Sequence, residues 1–104
     1  MSKFEQLQAD ISECKDLIAM AESLETLRRS TAFKKVIVEG YLKSEAVRNT
    51  MMLDQAHVRE SAIRQLAGIA SFNGFLETIE MTAEQAKFQL IELEAESMNL
   101  AKEV

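Results

Sequence analysis

Asp54, His57 and Glu60 come nearest to a chemical site in this chain by residue type and spacing. Three residues apart, they fall on one side of a helix near its start, where a carboxylate–imidazole pair or part of a metal site could form. A metal needs three or four converging ligands, and His57 is the single histidine. The trio therefore reads as capping and surface residues. Cys14, between Ile11 and Ile18, occupies an apolar helical position rather than the exposed, electropositive setting of a reactive thiolate, and reads as a small buried hydrophobe. Glu77, Glu80, Glu84, Glu92, Glu94, Glu96 and Glu103 lack the Glu-x-x-His pairing of a carboxylate-bridged metal bundle and read as a solvated helix face.

The basic residues Arg28, Arg29, Lys34, Lys35, Lys43 and Arg48 form the other charged constellation. Such a set could grip a phosphate backbone, but Phe33 and Tyr41 fall on an apolar stripe and leave no aromatic to stack on bases. Complementarity with acidic helices is the plainer reading. Lys34, Lys35, Lys43 and Arg48 are the candidate interaction surface. The chain has no Gly-rich phosphate loop, nucleophile elbow or Cys-x-x-Cys pair. The expectation is no enzyme, no catalytic residue, no metal and no cofactor.

The elements that must position these residues are helices. There is no proline and there are three glycines in 104 residues, too few turn formers for a sheet. Hydrophobic residues make up 47% and charged residues 28%, which fits one helical domain over residues 1–104. A single cysteine excludes an internal disulfide and suits a reducing compartment. Met1-Ser2-Lys3-Phe4-Glu5-Gln6 turns polar too early for a signal peptide, and the longest uncharged run, Gln65 to Leu76, falls short of the ~20 apolar residues of a membrane span. The expected location is the cytoplasm.

A first helix is expected from near Ser2 to Arg29, with the seam Phe4, Leu7, Ile11, Cys14, Ile18, Ala21. A second stripe, Leu17, Met20, Leu24, Leu27, widens its apolar face and predicts two neighbours there. Ser30 or Thr31 caps a second helix, about Ala32 to Leu53, with the stripe Phe33, Val36, Ile37, Gly40, Tyr41, Val47, Met51. Gly40 costs about 1 kcal/mol inside a helix, which close approach of another helix would offset, unless it simply faces solvent. Asp54 caps a third helix from about Gln55 to Lys102. Its seam is Ile69, Phe72, Leu76, Ile79, Ala83, Ala86, Leu90, Leu93, Ser97, Leu100, Val104, at unbroken 3-4 spacing. Because phase is kept across Asn73-Gly74, the helix should continue through them. Met20, Met51, Met52, Met81 and Met98 are expected inside.

The predicted fold is all-α: three helices in an antiparallel coiled-coil-like bundle with a long C-terminal helix. The alternative is a compact four-helix bundle broken near Asn73-Gly74. The chain carries a net charge of −5, with the first helix and the tail acidic and the second helix basic. The first helix can pack along the tail, with apolar seam still left over, or beside the second helix, and charge favours the latter as a tie-breaker. That leaves the tail seam bare, with Ile79, Leu90, Leu93 and Leu100 as the candidate oligomer seam and a homo-oligomer or a larger protein partner as its cover. Net acidity argues against general nucleic-acid binding.

The run Phe33-Lys34-Lys35-Val36-Ile37-Val38-Glu39-Gly40-Tyr41-Leu42, then Glu45-Ala46-Val47-Arg48, is one of two that carry a resemblance. Ile69-Ala70-Ser71-Phe72-Asn73-Gly74-Phe75-Leu76 ahead of a Glu-rich tail is the other. Together, over residues 24–100, they resemble small uncharacterised all-helical proteins of tailed bacteriophages, encoded among head-assembly genes. Such proteins are expected to carry a proline at the start of the second helix, where this chain has Thr31-Ala32. The resemblance implies a phage structural or accessory protein in the host cytoplasm or with the virion, and no catalytic residues. The other reading is a small regulator or counter-defence protein that binds a host protein or nucleic acid through its basic second helix.

Overall fold

A computed structural model describes residues 2–103, and these residues are all-α. The first helix, α1 (Lys3–Arg29), is capped by the Ser2 hydroxyl, which accepts from the Glu5 N–H at 3.1 Å. One extended residue, Ser30, separates it from the second helix, and the Ser30 side chain accepts from the Phe33 N–H at 3.3 Å. That second helix, α2 (residues 31–54), is mixed. It is α-helical over Thr31–Phe33, a π-helix over Lys34–Glu45, α-helical again over Ala46–Met51, and closes in a 3₁₀ turn at Met52–Asp54.

The last helix starts later than its sequence pattern implies. Asp54 ends the 3₁₀ turn instead of capping, Gln55 is extended, residues 56–58 form a turn, and α3 spans Arg59–Lys102. Arg59 ties the turn down by donating from Nε to the Leu53 carbonyl at 2.6 Å. At ~1.5 Å per residue α3 is about 66 Å long. Asn73 and Gly74 lie inside it, and no residue has positive φ among those described. The break that a four-helix bundle would need is absent.

The chain groups into two compact units. In unit 1, α1 up to Leu24 packs along α3 from Thr78 onward. The two run antiparallel: Gln8 Nε2 donates to Ser97 Oγ at 3.2 Å, and Ile11 and Lys15 stand across from Glu94. The core of the unit comprises Leu7, Ile11, Cys14 and Leu24 from α1 with Ala83 and Ala86 from α3. Two alanines on one side let the larger α1 side chains sit close to the α3 backbone. On α3 between Thr78 and Glu103, every covered residue except Thr82 belongs to the predicted seam: Ile79, Ala83, Ala86, Leu90, Leu93, Ser97 and Leu100. Val104 lies outside the described residues.

This pairing corrects the expectation that α1 would lie beside α2 because both α1 and the tail are acidic. Exposed charge pairs contribute only about 0–1 kcal/mol each, whereas burying a Leu or Ile contributes about 1.5–3 kcal/mol. The apolar seams match, and that decides the pairing. The second α1 stripe finds little cover: Leu24 is buried, but Leu17, Met20 and Leu27 are exposed.

Unit 2, Glu25–Glu77, is built around α2 and the first part of α3, again antiparallel. Tyr41 and Phe72 meet edge to face with ring centroids 5.7 Å apart and planes at 87°. Phe33, Ala62, Ile69 and Leu76 are buried. Asn49 is the buried polar residue, and its Nδ2 donates to the Glu45 backbone carbonyl at 2.7 Å.

The π-helix rotates the packed face of α2 away from the one that ordinary helical spacing predicts. A π turn takes more residues than an α turn, so positions four apart stay aligned. Phe33, Ile37, Tyr41, Glu45 and Asn49 are all covered. Val36, Val47 and Met51, expected inside, are 63%, 56% and 71% exposed. Gly40 meets its own helix rather than another: a Cβ there would lie 3.3 Å from the carbonyl oxygen of Lys35, five residues back. The methionine-rich interior is likewise corrected, since Met20, Met51, Met81 and Met98 are all exposed and Met52 is only half-buried.

Candidate interaction surfaces

The basic candidates lie on α2. Lys34, Lys35, Lys43 and Arg48 are all exposed. Arg48 is engaged: its Nη2 donates to Glu45 Oε2 at 2.6 Å and its Nε reaches both carboxylate oxygens. The Arg48 hydrogen bond holds the Glu45 carboxyl below its ordinary pKa, with burial opposing, and Glu45 raises Arg48 in return. No carboxylate lies within 4 Å of Lys34, Lys35 or Lys43 among the described residues. Lys35, Glu39, Lys43, Val47 and Met51 recur every fourth position on the exposed side of the helix, a surface of mixed charge and apolar character.

The residues offered as an oligomer seam, Ile79, Leu90, Leu93 and Leu100, are half-buried on the side of α3 that receives α1. Ser97, the one polar member of that seam, is satisfied by Gln8 from α1. Beside it an open cleft of about 250 Å³ is lined by Gln8, Ile11, Lys15, Glu94, Ser97 and Met98. Lys3 and Glu96 add a loose ion pair at 3.9 Å.

The sequence reading missed the opposite side of α3. Met81, Phe88, Ile91 and Met98 are 62%, 70%, 69% and 61% exposed, and Ala95 among them is exposed too. Their spacing of seven, three, four and three residues is itself a heptad register. It was legible as a second seam, hidden because the first is stronger and two of its positions, between Met81 and Phe88 and before Met81, are Glu84 and Glu77.

Asp54, His57 and Glu60 are exposed around the turn into α3, and no group of three or more His, Cys, Asp or Glu is placed to hold a metal among the described residues. Cys14 is 3% exposed, in the α1–α3 core of unit 1. No helix of the described residues is long and apolar enough to cross a membrane. Comparison with protein-family models, with curated proteins and with solved structures found no match.

Proposed function

We propose that the chain is a non-enzymatic interaction protein of the phage structural or accessory type, acting through helix-mediated oligomerisation and protein docking in the host cytoplasm or with the virion. The carrying observation is the run of large apolar side chains left exposed on α3 while its opposite face is packed. Contiguous apolar surface of this kind marks interaction sites in soluble proteins. The phage assignment rests on the resemblance over residues 24–100. Size-exclusion chromatography with light scattering tests the reading. The expected result is a species heavier than the 11.7 kDa monomer, alone or with a co-purifying partner. A stable monomer that captures nothing from infected cells would refute it.

A second reading has its own observation: Lys34, Lys35 and Lys43 are exposed, with no carboxylate within 4 Å of them among the described residues. It makes the chain a small regulator or counter-defence protein that binds a host protein or nucleic acid through α2. Replacing Lys34, Lys35, Lys43 and Arg48 together with glutamine should then abolish that binding. Unchanged binding would dismiss it.

A further inference from the structure

We infer that the exposed stripe of α3 in unit 1 docks a basic amphipathic helix of a partner protein, an inference that rests on the docking function proposed above. Met81, Phe88, Ile91, Ala95 and Met98 lie roughly 150° around α3 from the seam that packs on α1, taking 3.6 residues per turn. They share a heptad register over 18 residues. A register of that length, interrupted only at Glu84, matches another helix, whose apolar residues recur with the same period.

Charge selects the kind of helix. Glu84 occupies the register position between Met81 and Phe88, and Glu80, Glu92 and Glu94 border the stripe, with Lys87 the one basic residue among them. Lys87 is already held by Glu84 at 3.2 Å, and among the described residues no basic group lies within 4 Å of Glu92 or Glu94. The described residues of unit 1 carry eleven acidic and four basic side chains, a net charge of −7. A second copy fits poorly against this face. Parallel pairing sets Glu84 on Glu84, and antiparallel pairing centred on the stripe brings Lys87 near Glu92 but sets Glu84 and Glu94 opposite Ala95 and Gln85, which give them no basic partner. An anionic lipid surface is repelled by the same carboxylates. A helix with apolar residues in heptad register and Lys or Arg beside them meets both the stripe and its border.

The test uses the full-length protein and two fluorescent 28-residue synthetic helices with leucine at the core heptad positions. One is flanked by arginine and the other by glutamate. Fluorescence anisotropy is read alongside sedimentation equilibrium of the protein. The arginine helix should bind, its affinity should fall as salt is raised, and the glutamate helix should not bind. Phe88→Ser with Ile91→Ser should weaken binding by roughly tenfold or more, from the apolar area no longer buried. Met20→Ser, exposed on α1, should leave it unchanged, and circular dichroism should show the variants folded. Equal binding of both peptides, or binding indifferent to Phe88→Ser/Ile91→Ser, overturns the inference. A homodimer lost in that double variant, and excluding the peptide, also overturns it but leaves the interaction function standing. A monomer that binds neither peptide and no partner brings down both.

Discussion

Gly74 allows a sharp test of the continuous α3. It lies in the interior of a 44-residue helix with no positive φ, and a Cβ built there meets nothing within 4 Å. Glycine in a helix interior costs about 0.8–1.0 kcal/mol relative to alanine, part of it through the greater freedom of the unfolded chain. No steric term opposes the methyl group, so Gly74→Ala should recover most of that difference. A gain of about 1 kcal/mol raises Tm by roughly 4–8 °C in a domain of up to about 100 residues. Thermal and urea unfolding followed by circular dichroism measure it, at fixed protein concentration because association would add to stability. The helical signal of the folded protein should hardly change. A lower Tm, or a loss of helical signal, would show that residues 73–74 are not helical in solution, and the single long α3 would be wrong.

Gly40→Ala should gain less than Gly74→Ala. Its methyl group would press on the Lys35 carbonyl at 3.3 Å, so the crowding offsets part or all of the propensity gain of up to ~1 kcal/mol. A rise equal to that of Gly74→Ala would refute the π-helix. Ile11→Ala, in the core of unit 1, should cost about 2–5 kcal/mol, while Ile91→Ala, on the exposed stripe, should stay within about 0.5 kcal/mol in urea unfolding of the monomer. Similar losses at the two positions would mean the packed face of α3 is misassigned. The Glu45–Arg48 pair gives a pH test. Because the folded Glu45 carboxyl titrates below its ordinary value, its contribution is present above the unfolded carboxyl pKa of about 4.3 and is lost as pH falls through the folded value. The stability difference between wild type and Glu45→Gln should therefore shrink with acid and with salt. A difference that grows toward low pH would contradict the pairing.

The readable parts of this fold are those governed by a single period. The seam of α3 from Ile69 to Leu100 repeats at 3-4 spacing, and each of those positions is covered. Cys14 was legible as core for the same reason, and Ser30 as a cap because its hydroxyl precedes an apolar helical run. The face of α2 was not legible. A π-helix has no composition of its own, and 3.6-residue spacing placed Val36, Val47 and Met51 inside while leaving Asn49 and Glu45 out. Gly40 was a hint: residues without a Cβ tolerate the close carbonyl five positions back. The methionines misled because hydrophobicity alone does not say which of two apolar faces a helix buries. The candidate surface fared likewise. The four basic residues are exposed as their pattern implies, yet Arg48 is taken by Glu45, three residues away, a spacing visible in the sequence.

The placement of α1 joins the fold to the proposed function. Two acidic helices pack together in unit 1 because Leu7, Ile11 and Cys14 match a seam with alanines at its centre, and exposed carboxylates keep their hydration. The consequence is a concentration of like charge: unit 1 is left at −7, while the residues of unit 2 sum to +2. That repulsion is weak pair by pair, but it acts on whatever approaches the exposed side of α3. The same seam match also consumes Ile79, Leu90, Leu93 and Leu100, so the surface left for a partner is Met81, Phe88, Ile91 and Met98. Apolar attraction there is indifferent to a partner's identity, whereas the surrounding carboxylates are not. Affinity would come from the stripe and selectivity from its acidic border.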